Sequence, residues 1–371
     1  MKRKILWIAV LCMTLCGCSS WMDGSYVSVT PHQQQLSGTQ SGSVSASNYM
    51  QLREVLEEMV DSGVESAVIN VSEYNQEQVE AGVEMAVRYL QQTYPLGAYA
   101  IEKIDYEIGI GGGKPAVSVN ISYLHGRSEI RKIQTVSTME EAQERIAEAL
   151  RECDAGVVLL VKQYQQTDIA QLVEDFALEN PDVVMETPQV AVGIYPEIGA
   201  PRVAELKFTY QTSRDSLRQM QSQVQQIFSS ASLYVSGDAP DSQKYAQLYA
   251  FLMERYDYKI ETSITPSYSL LRHGVGDSQA FACVYAAMCR QAGMECQIVS
   301  GTKNGESWYW NMIHYDDVYY HVDLLRCNEI GGFRRFNDGD MQGYVWDYSA
   351  YENGEMAAEE TVPAEIEKID K

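Results

Sequence analysis

Apolar positions along this chain repeat with two periods, and the order in which the periods follow one another predicts its elements. Helical spacing runs from Met50 through Val60 and an apolar strand covers Ala67 to Val71. A second helical stretch extends from about Gln76 to Gln91, followed by strands near Ala98 to Gly109 and Ala116 to Tyr123. From Met139 the same order returns: a helix to Leu150, a strand Val157 to Val161, a helix Ile169 to Leu178, and strands Gln189 to Tyr195 and Val203 to Tyr210. Local echoes accompany it, with Val68-Ile69-Asn70-Val71-Ser72-Glu73-Tyr74 set against Val158-Leu159-Leu160-Val161-Lys162-Gln163-Tyr164. The fold class read from this order is α+β, with duplicated modules at 49–135 and 136–236 closed by a helix from about Asp215 to Ile227. No catalytic cluster falls within them. His125 and Cys153 stand alone, and Gly111-Gly112-Gly113 between two strands reads as a hairpin connection, not a phosphate loop.

A third domain is expected over 237–352. A helix from Ser242 to Arg255 sets Tyr245, Leu248, Tyr249 and Leu252 on one face and leads into Tyr256-Asp257-Tyr258. Three blocks follow: Gly276-Asp277-Ser278-Gln279-Ala280-Phe281-Ala282, then Glu306-Ser307-Trp308-Tyr309-Trp310-Asn311, then Tyr320-His321-Val322-Asp323. Asp316 and Asp317 read as a hairpin turn, which pairs Tyr315 with Val318 and, continued back, Trp310 with Asp323. Side chains alternate across a strand, so Trp308, Trp310 and Met312 are expected on one face with His321 and Asp323, the Trp308 indole within reach of the Asp323 carboxylate.

In order and spacing, these blocks resemble the signature of transglutaminase-like cysteine enzymes, a papain-like α+β superfamily. Phe336-Asn337-Asp338-Gly339-Asp340-Met341 and Gly343-Tyr344-Val345-Trp346-Asp347 resemble the closing segment of bacterial, Firmicutes-type members. The resemblance covers about 238 to 351. It implies a nucleophilic Cys opening a helix, a His on a strand and an Asp on the next strand. Here those positions hold Ser278, Trp308 and Asp323, and Leu324-Leu325-Arg326 replaces the Thr and Trp that commonly follow the Asp.

The replacements remove the chemistry. A thiolate is stabilised at a helix N-terminus and beside an imidazolium, whereas a serine hydroxyl needs an adjacent base to take its proton. Indole only donates. His321, two residues from Asp323, is the candidate rescue base; His314 reads as a hairpin residue and His273 as a loop residue. Trp308, Tyr309, Trp310 and Asn311 form a candidate aromatic, polar-rimmed groove for a peptide or glycan. Cys283 falls inside the helix, away from its N-terminus, as a small buried residue, and lies too far along it from Cys289 for a disulfide. Cys296 with Cys327 stays open as a disulfide. With no Cys-x-x-Cys or His-rich spacing, no metal is expected, and no cofactor.

The ends of the chain add a location. Lys2, Arg3 and Lys4 precede an apolar run from Ile5 to Leu15, and Leu15-Cys16-Gly17-Cys18 resembles a bacterial lipobox. The expectation is a signal peptide over 1–17, cleaved before Cys18, with diacylglyceryl and fatty-acyl (palmitate) modification of that residue. Such a protein is held on the extracytoplasmic face of the cell membrane, because more than one acyl chain anchors stably where one does not. Residues 18–48, rich in Ser, Gln, Gly and Thr and including His32, read as a flexible tether, and 353–371 as an acidic tail. The net charge of −23 becomes −26 once the three leading bases are removed, which argues against nucleic acid as a partner.

Three functions follow from these readings. The first is a surface lipoprotein whose degenerate transglutaminase-like domain, a pseudoenzyme, binds or scaffolds an envelope or extracellular ligand. The second is a serine-dependent hydrolase or acyl transferase using Ser278 with His321 and Asp323. The third is an assembly protein acting through its duplicated modules.

Overall fold

The computed structural model describes residues 44–260 and 264–350. The expected signal peptide, Cys18, most of the expected tether and the expected acidic tail lie outside them. Packing divides the chain into two compact units, one comprising the segment up to Val55 with 65–86 and 103–122, the other 56–64, 87–102 and 123 onward.

The first unit carries a four-stranded sheet of β1 (Val44–Ser45), β2 (Ser66–Asn70), β3 (Ile101–Gly111) and β4 (Lys114–Tyr123), ordered β1-β2-β4-β3. β1 runs parallel to β2, Val44 opposite Ile69, so the expected tether to residue 48 is shortened: its last residues belong to the sheet. β2 is antiparallel to β4, and Ile69, Val117 and Val119 along this pair are fully buried. Gly112 and Gly113 both adopt positive φ between β3 and β4, as a two-residue hairpin requires. Residues 98–100, expected to open a strand, belong instead to helix Pro95–Ala100, with Pro95 in its first turn where a missing N–H costs nothing.

In the second unit, β5 (Gln134–Val136), β6 (Gly156–Val161), β7 (Gln189–Tyr195) and β8 (Arg202–Thr209) form a sheet ordered β5-β6-β8-β7. Directions repeat those of the first sheet: β5 parallel to β6, β6 antiparallel to β8, β7 antiparallel to β8. Helix Met139–Arg151 is capped by Thr138, which accepts from the Glu141 N–H, and helix Ile169–Glu179 by Asp168, which accepts from the Gln171 N–H. The following helix, Arg214–Tyr234, is longer than expected and does not simply close the module. Its Leu217, Val224 and Phe228 share a core with Tyr245, Phe281, Tyr285 and Trp310.

That core belongs to the last domain. Short strands β9 (Asp257–Tyr258) and β10 (Val275–Gly276) pair in parallel and lead into helix Ser278–Gln291, whose residues from Ala280 to Cys289 are all buried. The helix packs on a sheet of β11 (Cys296–Lys303), β12 (Glu306–Tyr315), β13 (Val318–Val322) and β14 (Tyr344–Trp346), ordered β13-β12-β11-β14. The β12–β13 turn is Asp316-Asp317, both with positive φ, and Tyr315 pairs with Val318 as the sequence predicts. Gly301 on β11 sits so close to β14 that a Cβ would meet the Val345 carbonyl oxygen at 2.2 Å and the Trp310 ring at 2.9 Å, so only glycine fits there.

Candidate functional site

Ser278 opens its helix directly after the N-cap Asp277, whose carboxylate accepts from the Ala280 N–H at 2.9 Å. It is 7% exposed, and its Oγ accepts the backbone N–H of Tyr309 at 3.2 Å. A hydroxyl thus stands at the positive end of a helix, against β12.

Asp323 follows β13 and caps helix Leu324–Glu329, Oδ1 accepting from the N–H groups of Leu325 and Arg326, each at 3.0 Å. The other oxygen takes three side chains: Tyr344 Oη at 2.6 Å, Trp308 Nε1 at 3.0 Å and Lys303 Nζ at 3.2 Å. The expected bond between indole and carboxylate is therefore present, joined by a lysine and a phenol. Lys303 also lies 4.6 Å from the centre of the Trp308 ring, a cation–π contact that holds the indole flat beneath the ammonium. With Asp323 1% exposed, charge neutralisation comes from this lysine, and burial together with the carboxylate pushes the Tyr344 phenol up.

His321 is not brought to Ser278. Its Nδ1 accepts from Trp310 Nε1 at 3.0 Å and its Nε2 lies 3.1 Å from Asp338 Oδ1. Since indole can only donate, Nδ1 carries no proton, and Nε2 donates to Asp338. The ring is fully buried, and burial holds its pKa below the ordinary 6.5 despite the opposing Asp338. The remaining histidines among the described residues sit elsewhere: His125 stacks on Tyr99, His273 meets Tyr268 edge-on, and His314 pairs with Glu295 and stacks on Tyr319.

The groove expected over Trp308 to Asn311 is divided by the strand. Trp310 is 1% exposed, packed edge-on to Tyr344 and Trp346, and Asn311 is fully buried, its amide donating to the Ala282 carbonyl at 2.8 Å. Neither can meet a ligand without unfolding. Trp308 and Tyr309 are half-buried. Tyr309, with Ser300, Gln279 and Ser267, lines one wall of a cleft of about 440 Å³; Asp175, Leu178 and Thr187 of the preceding module line the other. Sequence reasoning missed this second wall, because a helical period reports an apolar face without naming what it packs against.

The cysteines among the described residues are thiols. Cys153, Cys283, Cys289, Cys296 and Cys327 are free and buried, so Cys296 and Cys327 are not bridged; Cys327 Sγ instead accepts from the Arg334 N–H at 3.3 Å. Burial pushes the Cys283 thiol up, and that of Cys327 up to about 12, the opposite of an activated nucleophile. Among the described residues no group of His, Cys, Asp or Glu is arranged to hold a metal, and no helix is long and apolar enough to cross a membrane.

Residues 229–333 form a transglutaminase-like domain, matching the transglutaminase-like superfamily over that range. The closing segment lies beyond the match, yet β14 within it pairs with β11, Trp346 opposite Gly301. No curated protein matches the chain. Among solved structures, it is similar to a TGase crystal structure at 8% identity, covering 60% of this chain and 67% of that one with a TM-score of 0.26. It is also similar to a putative cysteine protease from Cytophaga hutchinsonii at 13% identity, covering 46% and 73% with a TM-score of 0.24.

Proposed function

We propose that this chain is a lipoprotein held on the extracytoplasmic face of a bacterial membrane through an acylated Cys18, and that its transglutaminase-like domain binds an envelope or extracellular ligand without turning it over. The observation that carries the reading is the occupancy of Asp323. The acid that would orient a catalytic imidazole accepts an indole, an ammonium and a phenol on one oxygen and two backbone N–H groups on the other. An imidazole has no place left beside it. A hydroxyl without a base within hydrogen-bond reach does not lose its proton to substrate chemistry.

His321 as a serine-activating base is disfavoured by the same accounting, since both of its ring nitrogens are engaged with Trp310 and Asp338. Binding is supported by the cleft beside the Ser278 helix, where Tyr309 supplies an aromatic face and Ser267, Gln279 and Ser300 supply polar groups, a lining suited to a peptide or a glycan. The shared strand order of the two preceding sheets supports reading the modules as a duplicated pair.

The reading is tested by titrating the full chain with soluble glycan strands and with envelope peptides, following tryptophan fluorescence and recovering the ligand for mass analysis. Saturable binding that weakens in Tyr309→Ala, with the ligand mass unchanged, is expected. A new product mass that depends on Ser278 contradicts it. For the anchor, radiolabelled fatty acid is expected to enter the wild-type chain in a bacterial host and not Cys18→Ala.

A further inference from the structure

Apart from the Ser278 region, the second module carries an apolar groove of its own. It runs between helices Met139–Arg151 and Ile169–Glu179, has a volume of about 810 Å³, and is floored by Ala147, Leu172 and Phe176. Leu172 and Phe176 pack against the module core yet stay half-buried, so apolar surface remains at the bottom of the groove.

Its walls are acidic with a fixed pitch. Glu140, Glu144 and Glu148 recur every four residues on one helix, and Asp175 and Glu179 do so on the other. Four residues of helix rise about 6 Å, so carboxylates repeat about once per turn along both sides of the floor. Leu172 and Phe176 share that spacing. Some of this charge is already engaged: Arg145 pairs with Glu148 at 2.7 Å, and the Gln171 amide donates to Asp175 at 2.9 Å. The one cation among the lining residues is Arg151, drawn over the Phe176 ring at 5.1 Å. The walls therefore keep a strong negative excess.

These carboxylates are spread along two rails and do not converge on a point. Consistently, no metal-holding group occurs among the described residues. An anionic partner is repelled. An extended peptide turns alternate side chains away from the groove, whereas a helix presents an apolar stripe at three- and four-residue spacing with charges flanking it on both sides.

We propose that this groove docks a cationic amphipathic helix of a partner protein, its apolar stripe laid on Leu172 and Phe176 and its Lys or Arg residues, one turn apart, facing the two acidic walls. This is helix-in-groove recognition with charge complementarity setting orientation and encounter rate. It needs neither Ser278 nor the lipid anchor, although Asp175 also lines the cleft beside Tyr309.

The test uses the full chain and three synthetic labelled peptides: an amphipathic helix of leucine and lysine, a scrambled peptide of the same composition, and the same helix with glutamate for lysine. Anisotropy is read at low and at physiological salt, and circular dichroism and melting confirm that each protein variant is folded. The patterned helix is expected to bind, more weakly as salt rises, with the scrambled peptide at least about tenfold weaker and the glutamate peptide not binding. Reversing both walls in E144K/E179K is expected to weaken the patterned helix by about tenfold or more, and Phe176→Ser by severalfold without changing the salt dependence. Equal affinity for the patterned and scrambled peptides, or no loss in folded E144K/E179K, overturns the proposal and leaves only diffuse attraction to an acidic surface.

Discussion

Ser278 and Asp323 stand in the first and last of the three blocks that resemble the transglutaminase-like signature, and the fold treats them differently. Ser278, 7% exposed at the start of its helix, accepts the Tyr309 N–H, while Asp323, 1% exposed, has donors on both oxygens. On the proposed reading, Asp323 is an orienting acid whose partner histidine position holds Trp308. On that reading the indole makes the bond that an imidazole would make, Lys303 and Tyr344 fill the remaining acceptor positions, and the acid serves the structure.

That contrast breaks most visibly at the acid. Asp323→Ala removes the partner of a largely buried ammonium and leaves an indole, a phenol and two backbone N–H groups to find other acceptors. A destabilisation of about 3 kcal/mol or more is expected in denaturant unfolding, near the lower end for a broken buried pair because Lys303 retains some access to water. A loss of under about 1 kcal/mol would show that the hub is not structural. Trp310→Phe keeps the edge-on packing but deletes the donor to His321, with an expected cost of about 1–3 kcal/mol.

The pH dependence sharpens the same point. His321 has a folded pKa below its ordinary 6.5, so above that value it is neutral in both states and its environment costs nothing. As pH falls below 6.5 the unfolded chain takes up a proton that the folded chain refuses, and stability declines until the folded pKa is passed. The decline is expected to be shallower in His321→Gln, measured as unfolding midpoint against pH; parallel profiles would exclude His321 as its source. The smallest effect belongs to Ser278→Ala, about 1 kcal/mol for loss of the bond from the Tyr309 N–H.

Much of this arrangement was legible in the chain. Strand alternation and the Asp316-Asp317 turn were enough to place Trp308 beside Asp323, because both features are local and a two-residue turn determines register along the whole hairpin. Lys303 and Tyr344 were not foreseen as partners of Asp323. They come from β11 and β14, and the sheet order that seats β14 against β11 depends on contacts distant in sequence. Alternation likewise put Trp310 and Asn311 on opposite faces but could not reveal that both faces are covered there, one by Tyr344 and Trp346, the other by the Ser278 helix. The paired helices that build the acidic groove each showed a helical period, and only their packing brings the carboxylate rows face to face.

The central claim is that the Ser278 hydroxyl has no proton acceptor, and labelling by a fluorophosphonate tests it most directly. The full chain, Ser278→Ala and heat-denatured protein are exposed to the reagent at neutral pH and compared by intact mass. The account predicts the same negligible incorporation in all three. Stoichiometric labelling of the native chain that vanishes in Ser278→Ala would mean that a base reaches the oxygen, and would contradict it.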